Sequence, residues 1–177
     1  MMHFNVASTY GAVSAAVNFA LIVLLYLVNM NLLAEWYVGI LALVIIVVFL
    51  FLGTAAARKA SEGAFSFGQA WMASMTVAFV AQILSTALTL VLYQVIAPEL
   101  PGVLEEITLD KSREMMEGFG MSGVMLELQM SEIKKAMSEA YTAKGLAKNA
   151  MGAMMMWAVI SLIVAAITRR TPTSEFA

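Results

Sequence analysis

The sequence predicts an all-α, polytopic membrane protein with four transmembrane helices and an extramembrane amphipathic helical segment between the third and the fourth. Hydrophobic residues make up 62% of the chain and charged residues only 12%, whereas soluble domains contain roughly 45–50% and about 25% of these classes. The apolar residues collect in four long runs, and the charged residues collect between them. Because a bilayer needs no burial of apolar surface inside the protein, this composition indicates a membrane protein.

The four apolar runs cover residues of about 10–28, 36–57, 70–97 and 147–168. Each is long enough to cross a hydrocarbon core of about 30 Å as a helix that rises about 1.5 Å per residue. Hydrophobicity does not alternate from residue to residue, so the strands of a membrane barrel are not expected. We therefore treat residues 1–177 as a single membrane domain.

The connections between the runs define the first three helices. Few residues separate Val28 from Trp36, so helices one and two form an antiparallel hairpin, and Trp36 and Tyr37 are aromatic residues typical of the membrane interface. Proline cannot donate the next helical hydrogen bond, so Pro98 and Pro101 end the third helix.

A capping box is predicted where the third helix begins. Ser66 is followed three residues later by Gln69, the spacing at which each side chain satisfies a free backbone N–H group of the other residue. Phe65 and Phe67 flank this position, and we expect them to anchor the start of the helix at the membrane interface.

The segment of residues 99–146 is predicted to be helical and to lie outside the bilayer. A short helix over 104–117 would end at Gly118 and Gly120, and an amphipathic helix would follow over 121–141. Its apolar stripe consists of Met121, Met125, Leu128, Ile133, Met137 and Tyr141. Such a helix would lie on the outer leaflet or pack against a partner.

The order of these features resembles a family of small bacterial integral membrane proteins classed as a domain of unknown function. The resemblance rests on the hydrophobic hairpin, the basic turn, the Phe-Ser-Phe-Gly-Gln-Ala motif of residues 65–70 and the Ile-Ser-Leu-Ile-Val-Ala-Ala-Ile run of residues 160–167 before Arg169 and Arg170. It covers essentially the whole chain. It implies a four-helix fold in a bacterial inner membrane and carries no known activity and no catalytic residues. The Met-rich outer segment departs from the family pattern.

Basic residues predict the orientation. Arg58, Lys59, Arg169 and Arg170 fall on one side of a four-helix topology, and basic loops face the cytoplasm, so both termini are expected there. Six further Lys and Arg residues lie between the third and fourth helices. That segment is long and also carries nine acidic residues, and long segments influence topology less.

Small residues recur every four positions in two of the helices. Ala7, Gly11 and Ala15 do so in the first helix, and Ala70, Ser74 and Ala78 do so in the third; the spacing allows close approach of helix backbones in lipid. Packing inside one chain and a dimer interface both explain these rows, and the first is the commoner outcome.

Asn18 and Gln82 are the polar residues deepest in the membrane. Buried amides need partners, so both are candidates for interhelical hydrogen bonds, or for a solute path together with Ser85 and Thr89. From the predicted helix starts, the rise per residue places them about 12 Å and about 20 Å from the cytoplasmic side. At such different depths they are not expected to meet.

Methionine is concentrated late in the chain, with ten of the fifteen residues between Met115 and Met156. Thioethers favour Cu(I), so the cluster Met151, Met154, Met155 and Met156 is a candidate metal site. Methionine also fills gaps and adapts to binding surfaces, and this explanation needs no metal.

Other functional classes lack the residues they need. The chain has no cysteine and one histidine, which leaves no thiolate nucleophile, Cys/His zinc site or Ser-His-Asp triad. A net charge of −2 gives no support for nucleic-acid binding. The row Glu106, Asp110, Glu114 and Glu117 is typical of a solvated helix face. We expect no enzyme activity and no cofactor.

Two functional hypotheses remain. The first is a non-enzymatic accessory or scaffold protein in the lipid bilayer, which binds a membrane-protein partner or a second copy of itself through residues 121–141. The second is a small transporter or channel for a soft metal ion or a neutral solute.

Overall fold

The computed structural model describes residues 2–61 and 65–169, and within these ranges it contains helices and no strand. The side chains of residues 2 and 3 lie outside this description, as does Arg170. The helices are α1 (Met2–Val28), α2 (Trp36–Lys59), α3 (Phe67–Val91), α4 (Leu100–Gly118), α5 (Gly123–Ala140) and α6 (Ala143–Thr168). A 3₁₀-helix, Met30–Ala34, connects α1 to α2, and a π-helical turn, Leu92–Ile96, extends α3.

Within the described ranges, four helices are long and apolar enough to cross a membrane, and they correspond to the four predicted runs. Their spans are Phe4–Val28, Trp36–Lys59, Phe67–Ile96 and Ala143–Thr168, with mean hydropathy between 2.0 and 3.0. The fold class predicted from the sequence is therefore confirmed. The first and fourth membrane spans begin earlier than predicted: α1 begins at Met2 and α6 begins at Ala143.

The third helix is the centre of the bundle, because α3 contacts α1, α2 and α6. The side chains on its inner faces are small: Ala70, Ala73, Ser74, Ala78 and Ala81 are all buried. In a bilayer, small residues at helix contacts replace the hydrophobic effect as the means of close association.

Glycines allow two of these helix contacts. A Cβ atom built on Gly11 of α1 would lie 2.6 Å from the backbone oxygen of Val77 on α3. A Cβ atom built on Gly53 of α2 would lie 2.6 Å from a methyl carbon of the same valine and 2.9 Å from Cβ of Tyr10. The predicted row of small residues on α1 is buried at this crossing, with Ala7 and Ala15 on either side of Gly11.

The capping box at the start of α3 is present. The Ser66 side chain accepts a hydrogen bond from the Gln69 backbone N–H at 3.3 Å, and the Gln69 side chain accepts one from the Ser66 backbone N–H at 2.8 Å. The expectation that Phe65 lies at the membrane interface is wrong. Phe65 is 2% exposed and packs with Ala57, Ala70, Ala73 and Ala165, so its ring contacts α2, α3 and α6 rather than lipid.

The remaining two helices form the α4–α5 hairpin, residues 100–140, at the end of the bundle where α1 joins α2. Leu100 and Leu104 of α4 are buried against residues of α1, the 3₁₀-helix and the end of α3. The Lys111 ammonium donates to Glu35 Oε1 at 2.6 Å, and the Tyr26 hydroxyl donates to Glu99 Oε1 at 2.8 Å. These contacts lay α4 across the loop between the first two spans.

We expect Gly11→Ala to destabilise the bundle, since its new methyl group would press on the backbone of α3. Overpacking of this kind typically costs about 1–3 kcal/mol. Thermal unfolding in a mild detergent would measure the change in Tm. Gly152→Ala is the matched control, because a Cβ atom there meets nothing within 4 Å. A Tm for Gly11→Ala equal to that of the control would contradict the α1–α3 contact.

Candidate functional site

Polar side chains inside the bundle surround a cavity of about 180 Å³ between α1, α2, α3 and α6. Asn18, Gln82 and Ser85 supply polar atoms, and Trp157 supplies its indole ring. A second cavity of about 40 Å³ shares Asn18 and Ser85 and adds Thr89. The four residues proposed for a solute path therefore border two neighbouring cavities.

The expectation that Asn18 and Gln82 lie at very different depths is wrong, because both border the larger cavity, although no hydrogen bond joins the two amides. The depth of Asn18 was counted from a first helix that begins at residue 10. In the structure α1 begins at Met2, and the additional residues move Asn18 deeper into the bundle. The two amides then lie at similar depths.

The Gln82 amide is held by two side-chain hydrogen bonds. The Trp157 indole N–H donates to Gln82 Oε1 at 3.3 Å, and Gln82 Nε2 donates to Thr86 Oγ1 at 3.3 Å. Trp157 is 4% exposed, so the bond from its N–H also removes the cost of an unpaired buried donor. Gln82 thus links α3 to α6.

Two further hydrogen bonds join α3 to α6, and both lie nearer the start of α3 than Gln82 does. The hydroxyls of Ser74 and Ser161 are 3.0 Å apart and fully buried, and the Trp71 indole N–H donates to the Ala158 carbonyl at 3.4 Å. Ser161, Trp157 and Trp71 were not singled out from the sequence. Trp157 could have been singled out, because it lies ten residues inside the predicted fourth span and the indole N–H of a buried tryptophan needs a hydrogen-bond partner.

The polar side chains that α1 places in the interior have fewer hydrogen-bond partners than those of α3 and α6. Asn18 is 7% exposed and its Nδ2 donates to the Ser14 carbonyl at 3.2 Å. The Ser14 hydroxyl is fully buried and has no hydrogen-bond partner among the described residues. Among the described residues, no Asp, Glu, Lys, Arg or His borders the two cavities, so the polar groups that face them are neutral hydrogen-bond donors and acceptors.

The four methionines of the candidate metal cluster do not share one face of α6: Met151 and Met154 border the same apolar groove, whereas Met156 lies on another side. Met151 is 75% and Met155 73% exposed, whereas Met154 packs against the bundle core. Met156 is 43% exposed and lies about 140° around the helix from Met151. The cluster does not converge on one point. Among the described residues, no group of three His, Cys, Asp or Glu side chains is placed to hold a metal ion.

The basic residues that predict the orientation lie at the end of the bundle opposite the α4–α5 hairpin. The Arg58 guanidinium donates to the backbone oxygen of Thr168 at 3.1 Å, and so caps the final turn of α6, where helix carbonyls lack partners. Lys59 and Arg169 are exposed beside it. Arg170 lies outside the described residues.

The apolar stripe predicted for 121–141 divides between two faces of α5. Leu126 and Met130 are buried, and Ile133 and Met137 are half-buried on the same side. Met121, Val124, Met125 and Leu128 are exposed on the other side, at 37%, 77%, 62% and 59%. The prediction of one continuous stripe is wrong because five residues separate Leu128 from Ile133. Five helical steps rotate the side chain about 140° beyond a full turn.

The inner face of α5 ends in an aromatic contact with α3. The rings of Tyr93 and Tyr141 pack edge to face with centroids 5.7 Å apart. The Arg113 guanidinium donates to Glu127 Oε1 at 3.1 Å and so joins α4 to α5 near the turn of the hairpin. The side of α5 that carries Val124 and Leu128 therefore faces away from the rest of the chain.

A family described as protein of unknown function (DUF4199) matches residues 9–170. The chain belongs to this family. The match spans all four membrane helices and the α4–α5 hairpin, and it confirms the resemblance noted in the sequence. No curated protein and no solved structure matches the chain. Family membership therefore brings no activity with it, and function has to be argued from the surfaces and cavities described above.

Tyr141 offers a test of the contact between α5 and the bundle. Burial, and secondarily the nearby charge of Glu105, raise the pKa of the Tyr141 phenol above its ordinary value of 10.0. The unfolded phenol titrates near that ordinary value, so the stability that this contact contributes is present below about pH 10 and lost as the pH rises further.

An ultraviolet difference titration of the wild type against Tyr141→Phe would isolate this ionisation. The missing step should lie above pH 10 in the folded protein and return to the ordinary value in denaturant. A step at the ordinary value in both states would show that the Tyr141 ring is not packed against Tyr93.

Proposed function

We propose that this protein is a non-enzymatic accessory protein of a bacterial inner membrane, and that α5 binds another membrane protein. The observation that carries the proposal is the α5 stripe, which we define as Met121, Val124, Met125 and Leu128. These side chains are exposed: Met121 lies in the turn two residues before α5, and the other three lie on the side of α5 opposite the packed Leu126 and Met130. A free apolar stripe on a fixed helix is a common means of recognition between proteins.

The composition of the stripe supports a protein partner. Two of its four members are methionines, whose unbranched side chains adapt to irregular surfaces. Charged residues border it, with Glu127 beside Leu128 and Glu132 and Lys135 one to two turns further along. An apolar centre with a polar rim is the usual anatomy of a protein interface.

The charge distribution supports the orientation. Arg58, Lys59 and Arg169 lie together at one end of the bundle, and basic residues next to short loops favour the cytoplasmic side. The termini would then be cytoplasmic, and the α4–α5 hairpin would lie on the periplasmic side. Its partner would be a membrane protein with a surface on that side.

We expect the double substitution Val124→Gln and Leu128→Gln to remove the partner from complexes isolated in mild detergent. Glutamine keeps helix propensity close to that of leucine and removes apolar contact area. Native mass spectrometry of the tagged protein from its own membranes would report which proteins leave the complex. Loss of a stoichiometric membrane protein supports the proposal.

The matched control is Glu132→Gln with Lys135→Gln, which alters two exposed positions of the same helix and leaves the net charge unchanged. It should retain the partner. Recovery of a homo-oligomer that the Val124 and Leu128 substitutions dissociate would make a second copy the occupant. An unchanged complex would contradict any role of the stripe in assembly.

A second candidate function is passage or binding of a small neutral solute. It is favoured by the two cavities inside the bundle, which Asn18, Gln82, Ser85 and Thr89 border. The larger cavity, about 180 Å³, has room for about six water molecules at about 30 Å³ each. The dispersed thioethers of α6 give no comparable support for a soft metal ion.

For the solute candidate, Gln82→Leu is the informative substitution. It keeps the side-chain volume but removes the amide that faces the cavity. If the cavity lies on a solute path, uptake of glycerol or urea into proteoliposomes should fall to the level of empty vesicles. Ile83→Leu, at an exposed neighbouring position, should have no effect. Equal uptake by wild type and Gln82→Leu would leave Gln82 with a packing role only.

A further inference from the structure

The face of α4 that rests on the bundle can be followed along the helix. Leu100 and Leu104 are buried on it, and Lys111 on the same face forms the ion pair with Glu35. Steps of three and four residues keep side chains on one face of a helix. This face therefore looks toward the membrane-spanning helices for the first three turns of α4.

The same face continues beyond the edge of the bundle. Met115 is four residues after Lys111 and Phe119 is four residues after Met115, and they are 58% and 82% exposed. Glu35 directly precedes α2, so the ion pair with Lys111 marks where α4 passes the last element beneath it. From there to Gly118 the helix extends by about 10 Å, with an apolar underside that nothing in the described chain covers.

Next to this overhang is the edge of the exposed apolar surface that the membrane-spanning helices present to lipid, which we call the lipid-facing belt. Trp36, in the residue after Glu35, is 75% exposed, and Leu27 and Val28 at the end of α1 are 72% and 76% exposed. The belt thus remains apolar up to the last turn of each span. Tryptophan is typical of the level of the lipid headgroups, so the overhang of α4 lies at that level.

We propose that the overhanging end of α4 inserts Met115 and Phe119 into the boundary between headgroups and acyl chains beside α2. The helix has the amphipathic character that this position requires. In its acidic row, Glu106, Asp110 and Glu117 lie about 140–180° around the helix from Met115, and Glu114 lies about 100° from it. Amphipathic helices bury an apolar face by about 5–10 Å in this region while the charged face stays in water.

The turn after α4 suits an inserted tip. Gly120 and Gly123 have φ angles of 82° and 64°, values that residues with a Cβ atom rarely adopt. They reverse the chain within a few residues, so that Phe119 lies at the end of the hairpin and α5 returns to the bundle. Lipid would then hold the tip of the hairpin, in addition to the Glu35 ion pair along α4.

This inference does not depend on what binds the α5 stripe, which lies on the other helix of the hairpin. It also requires no anionic lipid. Residues 100–140 carry eight acidic and four basic side chains, a balance that gives no attraction to a negative surface. The bilayer for the experiment is therefore phosphatidylcholine.

Spin labelling would test the insertion, because the chain has no cysteine of its own. Phe119→Cys and Glu117→Cys, both exposed and within one turn of each other, would each carry a single nitroxide in nanodiscs. Oxygen partitions into lipid and a nickel chelate stays in water. We expect the ratio of oxygen to nickel accessibility to be several-fold higher at position 119 than at position 117.

The other outcomes overturn the proposal. Equal ratios at the two positions would mean that the tip stands in water. Protection from both reagents together with spin–spin coupling between copies would mean that a second copy covers the tip. Protection without coupling would mean that another part of the same chain covers it. Met115→Cys, one turn nearer the bundle, should repeat the result of position 119 if the underside of α4 faces lipid.

Discussion

The close approach of α1 and α3 at Gly11 is the contact on which the rest of the structure depends. Helices in a bilayer gain little from hiding apolar side chains, because the surrounding lipid is equally apolar. Their association relies on packing and on hydrogen bonds, and both require short distances. With Gly11 against the Val77 backbone, α1 lies near enough to α3 for Ser14 and Asn18 to be enclosed. The buried polar interior therefore depends on a residue with no side chain.

The polar contacts inside the bundle divide the helices into two sets. Ser74 with Ser161, Trp71 with Ala158 and Gln82 with Trp157 all join α3 to α6. On the α1 side, the Asn18 side chain bonds to the Ser14 carbonyl of its own helix, and the Ser14 hydroxyl has no partner in the described chain. The cavities lie where these two sides meet. Hydrogen bonds join α3 to α6, whereas α1 meets α3 by close packing at Gly11.

At the end of the bundle where α1 joins α2, the α4–α5 hairpin is held by the buried Leu100 and Leu104 and by a few polar and aromatic contacts that are spread widely. Glu99 bonds to Tyr26, Lys111 to Glu35 and Tyr141 packs on Tyr93. A hydrogen bond from the backbone N–H of Glu99 itself, and secondly the one from Tyr26, lower the pKa of the Glu99 carboxyl. The Lys111–Glu35 ion pair is partly exposed. Such pairs contribute little stability individually. Their role is to fix where the apolar surfaces of the hairpin point, and both proposed interactions of the hairpin depend on that direction.

Much of the fold followed from local sequence. The four spans, the break at Gly118 and Gly120 and the Ser66–Gln69 capping box each depend on residues close together in the chain, where composition and spacing are sufficient. The candidate site did not follow in this way. The relative depth of Asn18 and Gln82 depended on where α1 begins, and a polar or weakly apolar first turn gives no sharp signal for that residue. The stripe on α5 was assigned from spacing alone, and one step of five residues was enough to place its two halves on different faces.

The sequence by itself determined that this protein crosses a membrane four times, which end of the bundle is basic and which residues are polar within the spans. Hydropathy, charge and small-residue spacing are properties of the chain, and the bilayer selects on them directly. Only the tertiary structure decided which polar groups meet, because contact between helices depends on their relative depth and rotation. It also decided that Leu126 and Met130 face inward while Val124 and Leu128 face outward. That choice is made by the packing of α5 against its neighbours, and an apolar residue in the sequence carries no indication of which surface will cover it.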